Sequence, residues 1–187
     1  MPGDLTIGEQ QRVGIARGLM LQPDVIVFDE PTSMLDPMSR YEVLRLLRPL
    51  RDERQATLLF ITHDLKAVQY LCDDVVVMSL GEIVEQGPTE RIFAAPRHPY
   101  TRALVSSMLE VERMGDLPAF TLEGEIPSAV NLPAGCCFRS RCPRVIGACA
   151  SHPMLVGDEE GGAVRCFNPV LATATTPEQP VEMSAPR

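Results

Sequence analysis

The chain of 187 residues has no tryptophan, a single lysine, and no apolar run near the ~20 residues needed to cross a bilayer. Each shortage removes a class of protein. Without a long apolar run, no membrane-spanning helix is expected. The net charge is −8 and no basic stretch stands out to neutralise phosphates, so a nucleic-acid binder is not expected either. Met1-Pro2-Gly3-Asp4 has neither the basic start nor the apolar core of a signal peptide. On that reading the six cysteines sit in a reducing compartment, where metal binding is a commoner fate than a disulfide. The length allows one domain and an appendage.

The lone lysine is informative for where it lies. Lys66 falls in His63-Asp64-Leu65-Lys66, with no glycine loop before it. The pattern G-x-x-x-x-G-K-[ST], whose backbone N–H groups cradle phosphates, is therefore absent from these residues.

What is present begins with Val25-Ile26-Val27-Phe28-Asp29-Glu30-Pro31. Four apolar residues, mostly β-branched, suit a strand buried on both faces of a parallel sheet. Two carboxylates at its end place charge where open α/β sheets bind ligands. One acid suits a metal ion and the next suits activating a water, the pairing that nucleotide hydrolysis needs. Taken alone, the run reads equally well as a buried strand ended by a polar turn.

Around it, Glu9 to Leu21 reads as a helix whose apolar side is Val13, Ile15, Ala16, Leu19 and Met20. Gly14 and Gly18 weaken it by roughly 1 kcal/mol each relative to alanine, so packing must hold it. A helix from about Met38 to Arg51 follows, with Pro49 expected to bend it or end it early. Thr57 to Thr62 reads as a second buried strand and Leu65 to Leu71 as a short helix. Two strands, Val75–Met78 and Glu82–Glu85, flank Leu80-Gly81, a hairpin turn signal. Pro88-Thr89-Glu90 opens another short helix. Near Pro96 prolines and glycines become frequent and periodicity fades, apart from a helix near 100–112. Residues from about 171 onward read as a disordered tail. No internal repeat is visible.

Four pieces stand in a fixed order: Leu5-Thr6-Ile7-Gly8-Glu9-Gln10-Gln11-Arg12, the strand ending Asp29-Glu30, Ser33-Met34-Leu35-Asp36, and Ile61-Thr62-His63-Asp64. Each alone is weak. Together they resemble the ATP-binding subunit of an ABC transporter over residues 3 to about 95. The resemblance implies an incomplete three-layer α/β core of the P-loop NTPase type, with ATP and Mg²⁺ as its cofactors. By the same resemblance Asp29 is the Walker B acid, holding Mg²⁺ through water. Glu30 is then the base that polarises the attacking water. His63 resembles the switch histidine that donates to the γ-phosphate; the competing reading is a histidine capping the next helix, a role Asp64 suits as well. Ser33 and Asp36 resemble the D-loop at the dimer interface. Thr6, Ile7, Gly8 and Glu9 resemble the signature, usually Leu-Ser-Gly-Gly-Gln, that grips the γ-phosphate on the opposite subunit. Ile7 departs from it: a β-branched side chain stands where the family has a glycine close to phosphate, and where glycine's φ/ψ freedom is expected to matter.

The second half carries His98-Pro99-Tyr100-Thr101, Gly124-Glu125-Ile126-Pro127-Ser128 and Gly135-Cys136-Cys137-Phe138-Arg139-Ser140-Arg141-Cys142-Pro143. These resemble the extension of oligopeptide and dipeptide importers, which subunits for nickel and some sugar-derived substrates share. Cys136, Cys142, Cys149 and Cys166 sit where that extension usually has four cysteines, and Cys137 is an extra neighbour. Four thiolates suit tetrahedral zinc or a four-iron cluster. The gaps are longer than a zinc ribbon's, and in some relatives the resemblance implies a [4Fe-4S] cluster. Four reduced thiols without a ligand is the competing reading. Cys72, at a helix end, reads as packing.

The sequence thus predicts residues 1–95 as the carboxyl-terminal part of an ABC ATPase domain, 96–170 as a small irregular cysteine-bearing extension, and 171–187 as a tail. The expected function is a share in ATP hydrolysis energising peptide-type import at the cytoplasmic face of the inner membrane, with this chain alone expected to be inactive for lack of the phosphate-cradling loop. The expected partners are a second ATP-binding subunit, identical or homologous, and transmembrane permease subunits, with an extracytoplasmic solute-binding protein engaged indirectly. The alternative is a catalytically inactive fragment serving as a subunit contact or a cysteine metal module. A stand-alone metalloprotein fits less well, because the first half is so fully ABC-like.

Overall fold

In the computed structural model, which describes residues 5–54, 56–112, 127 and 130–171, contacts divide the chain between Cys72 and Asp73 into two units. The first begins with helix α1 (Ile7–Leu19), followed by strand β1 (Val25–Asp29), helix α2 (Pro37–Arg54), strand β2 (Thr57–Ile61) and helix α3 (Leu65–Leu71). β1 and β2 pair in parallel, with Asp29 opposite Ile61. Parallel neighbours need a crossover, and α2 supplies it.

The apolar stripe of α2 builds this unit's core. Val43, Leu44 and Leu47 are almost fully buried and cluster with Ile15, Phe28, Leu35, Ala67 and Leu71. The Phe28 and Phe60 rings meet across the two strands, 6.3 Å between centroids. Among the described residues, these helices cover one face of the strand pair. Val25, Val27, Leu59 and Ile61 on the other face are exposed, so the expectation of strands buried on both faces is not met. The helix expected to yield at Pro49 runs on to Arg54. A proline inside a helix forfeits one hydrogen bond at a cost of about 3 kcal/mol, and burial of three aliphatic side chains at roughly 1.5–3 kcal/mol each outweighs that.

The second unit is built on the predicted hairpin. Strands β3 (Asp74–Ser79) and β4 (Glu82–Pro88) pair antiparallel. Leu80 and Gly81 both adopt positive φ, 49° and 81°. That is the backbone of the tight turn whose twist suits a hairpin. Helix α4 (Thr89–Ala94) and helix α5 (Pro99–Glu112) follow, and Pro99 sits at the first helical position, where its missing N–H costs nothing.

Two short strands, β5 (Val156–Gly157) and β6 (Ala163–Val164), complete a four-stranded sheet in the order β3-β4-β6-β5. The cysteine-bearing stretch between is held by two short 3-10 turns, Arg139–Arg141 and Gly147–Ala150. Gly135, at φ 83°, lets it fold back: a Cβ there would lie 2.4 Å from the Cys149 carbonyl oxygen. No helix among the described residues is long and apolar enough to cross a membrane. The predicted tail beyond Leu171 and most of Gly124–Ser128 lie outside the described residues.

Candidate functional site

The carboxyl end of β1 carries the first group of candidate residues. Asp29 is the last strand residue and is exposed. Glu30 follows at φ 46°, a left-handed backbone that a non-glycine residue seldom adopts. Its N–H donates to the Ile61 carbonyl (2.9 Å), extending the β1–β2 ladder by one bond. Its own carbonyl accepts from the Ser33 N–H (3.2 Å) and the Ser33 hydroxyl (3.1 Å). The bend at Glu30 is thus held from both sides, and it aims the side chain across the sheet edge toward the loop after β2.

There Glu30 Oε1 meets His63 Nδ1 at 2.8 Å. The histidine side chain is 78% exposed. The second carboxylate oxygen, Oε2, is buried and has no hydrogen-bond partner among the described residues. An unpaired buried acceptor is costly, and it fits a site that receives a water or another donor. Capping of α3 falls to the neighbouring acid: Asp64 Oδ1 accepts from the N–H groups of Lys66 (3.0 Å) and Ala67 (3.3 Å). Arg40 Nη1 holds the other oxygen of Asp64 at 2.9 Å. His63 is therefore not the cap, and its ring is left to Glu30.

Asp36 performs the same service for α2. Its Oδ1 accepts from the N–H groups of Met38 (3.0 Å) and Ser39 (3.1 Å), and its Oδ2 from the Ser39 hydroxyl (2.6 Å). The Ser39 hydroxyl, then its N–H, hold the Asp36 carboxyl below the usual carboxylate range. Ser39 also packs against Gly8, where an added Cβ would sit 3.2 Å from the Ser39 hydroxyl oxygen. The Thr6–Glu9 segment and the Ser33–Asp36 loop are thereby joined at a contact only glycine fits easily. Nothing in the sequence motifs pointed to Ser39; a hydroxyl three residues after a capping Asp was the available signal.

At the start of α1, Thr6 is the N-cap in a reciprocal capping box. The Thr6 hydroxyl accepts from the Glu9 N–H (3.3 Å), and Glu9 Oε2 accepts from the Thr6 N–H (2.8 Å) and hydroxyl (2.9 Å). Those bonds, led by the Thr6 N–H, hold the Glu9 carboxyl below its ordinary range. Glu9 thus occupies the helix end that an anion would use. Ile7 is the first helical residue, 56% exposed, and is not among the residues with positive φ. The expected need for glycine's φ/ψ freedom at this position is not met, because helical backbone suits any L residue. Its side chain remains exposed in the first turn of the helix.

Five of the six cysteines lie in the second unit, and Cys72 ends the first. None of the six is in a disulfide; Cys136, Cys137 and Cys149 are buried, Cys142 and Cys166 half-buried. The Cys136 thiol is pulled down by a hydrogen bond from Cys137, with His98 adding to it. Cys137 is pushed up in return by the same bond and by burial. Burial also raises Cys142, and raises Cys166 to about 11. Yet no group of three or more His, Cys, Asp or Glu among the described residues is arranged to hold a metal ion. This lends no support to the expected zinc or iron–sulfur set on Cys136, Cys142, Cys149 and Cys166, although Cys142 and Cys166 lie close enough to Cys136 and Cys149 to feel their charge.

Around them, buried Glu85 accepts from the N–H groups of Arg97 (2.7 Å) and His98 (2.9 Å), tying β4 to the start of α5. Asp158 gathers Arg91 and Arg97, the latter at 2.7 Å, and is held far below the usual range, chiefly by Arg91.

Residues 1–33 match the family model described as ABC transporter, and residues 84–149 match that of the oligopeptide/dipeptide transporter C-terminal region. A putative peptide import ATP-binding protein of Brucella ovis is 49% identical over 144 residues, covering 77% of this chain and 45% of that protein. The dipeptide transport ATP-binding protein DppF of Escherichia coli is 44% identical over 160 residues, 86% of this chain and 48% of that protein. A probable peptide ABC transporter ATP-binding protein of Sinorhizobium fredii is 40% identical, covering 100% of this chain and 54% of that one. Among solved structures, cbiO1 from Clostridium perfringens, part of an ABC transporter complex, is 33% identical with a TM-score of 0.48, covering 60% of this chain and 43% of that one. The chain spans about half the length of the curated relatives it matches.

The chain belongs to the ABC transporter ATP-binding family. Within it, the match over residues 84–149 marks the oligopeptide/dipeptide branch.

Proposed function

We propose that this chain carries the hydrolytic half of an ATPase that energises peptide-type import, with Glu30 as the base and His63 as its partner. The observation that carries the reading is the 2.8 Å pairing of Glu30 Oε1 with His63 Nδ1, beside an Oε2 that is buried without a partner. Oε2 takes the proton of the attacking water, while the His63 ring, released from Oε1, donates to the γ-phosphate. Asp29 is the carboxylate that would hold Mg²⁺ through water, an ion that keeps most of its waters and takes only one or two carboxylates. When bound, Mg²⁺ supplies charge neutralisation for the transferring phosphoryl group.

Thr6, Gly8 and Glu9 would face the ATP of a second subunit, with Ser33 and Asp36 lining that interface. Such a dimer docks on permease subunits at the inner face of the membrane, and the branch assigned by residues 84–149 supports peptides as the solute class. Residues 1–95 then act as the ATPase portion and 96–170 as the extension. The test joins the amino-terminal portion of a full-length relative ahead of Leu5 and measures ATP hydrolysis. Activity lost on Glu30→Gln with ATP binding intact supports the reading; undiminished activity defeats it.

A further inference from the structure

The His63 ring is bonded to Glu30 and otherwise largely exposed, so packing does not set its place. Its backbone is fixed instead. Thr62 Oγ1 accepts from the Asp64 N–H (3.0 Å), closing a turn around His63. Asp64 has two separate anchors: Oδ1 caps α3, and Oδ2 accepts from Arg40 Nη1 at 2.9 Å. The cap does not need the second bond. Arg40 is 39% exposed, and an ion pair that open to water stabilises a fold little. What the pair does fix is position, because it joins the turn that carries His63 to the first turn of α2.

That same turn of α2 reaches the other candidate loops. The Arg40 N–H donates to the Asp36 carbonyl (2.9 Å), and the Ser39 hydroxyl to Asp36 Oδ2 (2.6 Å). Ser39 also lies against Gly8, where an added Cβ would come within 3.2 Å of the hydroxyl. Arg12 of α1 pairs with Glu42 of α2 one turn further on. A displacement of the Thr6–Glu9 helix end is therefore carried to α2 by direct contact, and from α2 to His63 through Arg40 and Asp64.

We propose that Arg40 is a positioning residue for hydrolysis: through Asp64 it keeps His63 within reach of Glu30 and links that reach to the Thr6–Glu9 helix end. The role rests on the ATPase reading. Among the described residues Arg40 makes no hydrogen bond to Glu30 or His63, so its effect runs through Asp64. Misplacing a reacting group by 1 Å can cost about 100-fold in rate, and losing one anchor of several is expected to cost ~10-fold.

The test has two arms. On the intact chain, NMR reads the nuclear Overhauser contacts between the His63 ring and the Glu30 side chain. They are expected to persist in Arg40→Lys and to be lost in Arg40→Gln and in Asp64→Asn, although the last keeps the cap. In the ATPase assembled with a relative's amino-terminal portion, Arg40→Gln and Asp64→Asn should each slow single-turnover hydrolysis ~10-fold at unchanged ATP affinity. Arg40→Lys should restore most of the rate, and the double variant should be no slower than either single one. Where Arg40→Gln fails to fold, Asp64→Asn supplies the same comparison. Contacts that survive the loss of the ion pair, weakened ATP affinity at an unchanged rate, or losses that multiply would each overturn the proposal. An assembly whose parent does not hydrolyse ATP defeats the ATPase reading instead, and the NMR arm then decides whether Arg40 positions His63.

Discussion

Glu30 Oε1 and His63 Nδ1 lie 2.8 Å apart across the ends of two parallel strands. The contact depends on backbone as much as on side chains. Glu30 sits at φ 46°, and the Ile61 carbonyl that receives its N–H is two residues before His63. A histidine two residues past the partner strand is thereby within reach of a carboxylate one residue past β1. Replacing His63 with alanine is expected to free Glu30 without unfolding the unit, because the ring is largely exposed. Unfolding curves of His63→Ala and the parent should coincide within about 0.5 kcal/mol.

Asp64 is a different case, although it is the next residue. It caps α3 and holds Arg40. Asp64→Ala should cost ~1 kcal/mol or somewhat more, the range for a lost N-cap. Asp64→Asn should recover most of it, since the amide oxygen still caps. Chemical denaturation of the three proteins checks the order, and an alanine variant as stable as the parent would rule out the capping role.

Acid should loosen the second unit through Asp158. Its folded-state carboxyl is held below the ordinary range, first by Arg91. A lowered folded pKa means that the stabilisation is fully present above the ordinary aspartate value, ~3.9. It is lost as pH falls through the lowered folded value. Melting temperature measured between neutral pH and pH 2 should drop most steeply below about 4. In Asp158→Asn that acid step should shrink while the neutral-pH melting temperature falls.

Ile7→Gly should act in opposite directions on stability and activity. At the first turn of α1, glycine costs about 0.5–1 kcal/mol of helix. In the ATPase assembled with a relative's amino-terminal portion, removing the exposed side chain should raise hydrolysis by opening the helix end to phosphate. Unchanged turnover in that assay would remove Ile7 as an obstacle and leave the Glu9 carboxylate, already on the Thr6 N–H, as the remaining one.

Legibility of the fold varied with the length and regularity of the signal. The run Val25–Asp29 and the Leu80-Gly81 turn were readable because one has four consecutive apolar residues and the other a glycine in a turn position. Asp64 as a cap followed from its place before a helical pattern. β5 and β6 were not readable, since two-residue strands carry no periodicity. Pro49 misled, because propensity is local while Val43, Leu44 and Leu47 draw on the tertiary core. The exposed face of Val25, Val27, Leu59 and Ile61 was invisible for a related reason: an apolar strand does not reveal how many neighbours cover it. At the site, residue types pointed to Glu30 and His63, whereas the Ser39–Gly8 contact needed coordinates. The cysteine spacing suggested a metal that the arrangement of the thiols does not support.

Single-turnover ATP hydrolysis tests the central claim most directly, measured on the assembled ATPase with Glu30→Gln, His63→Ala and the double variant. Acting as one unit, the two residues predict a fall of ~10²–10⁴-fold for Glu30→Gln. They also predict a double variant little worse than that single one. Retained hydrolysis in Glu30→Gln, or losses that multiply fully in the double variant, would contradict the account.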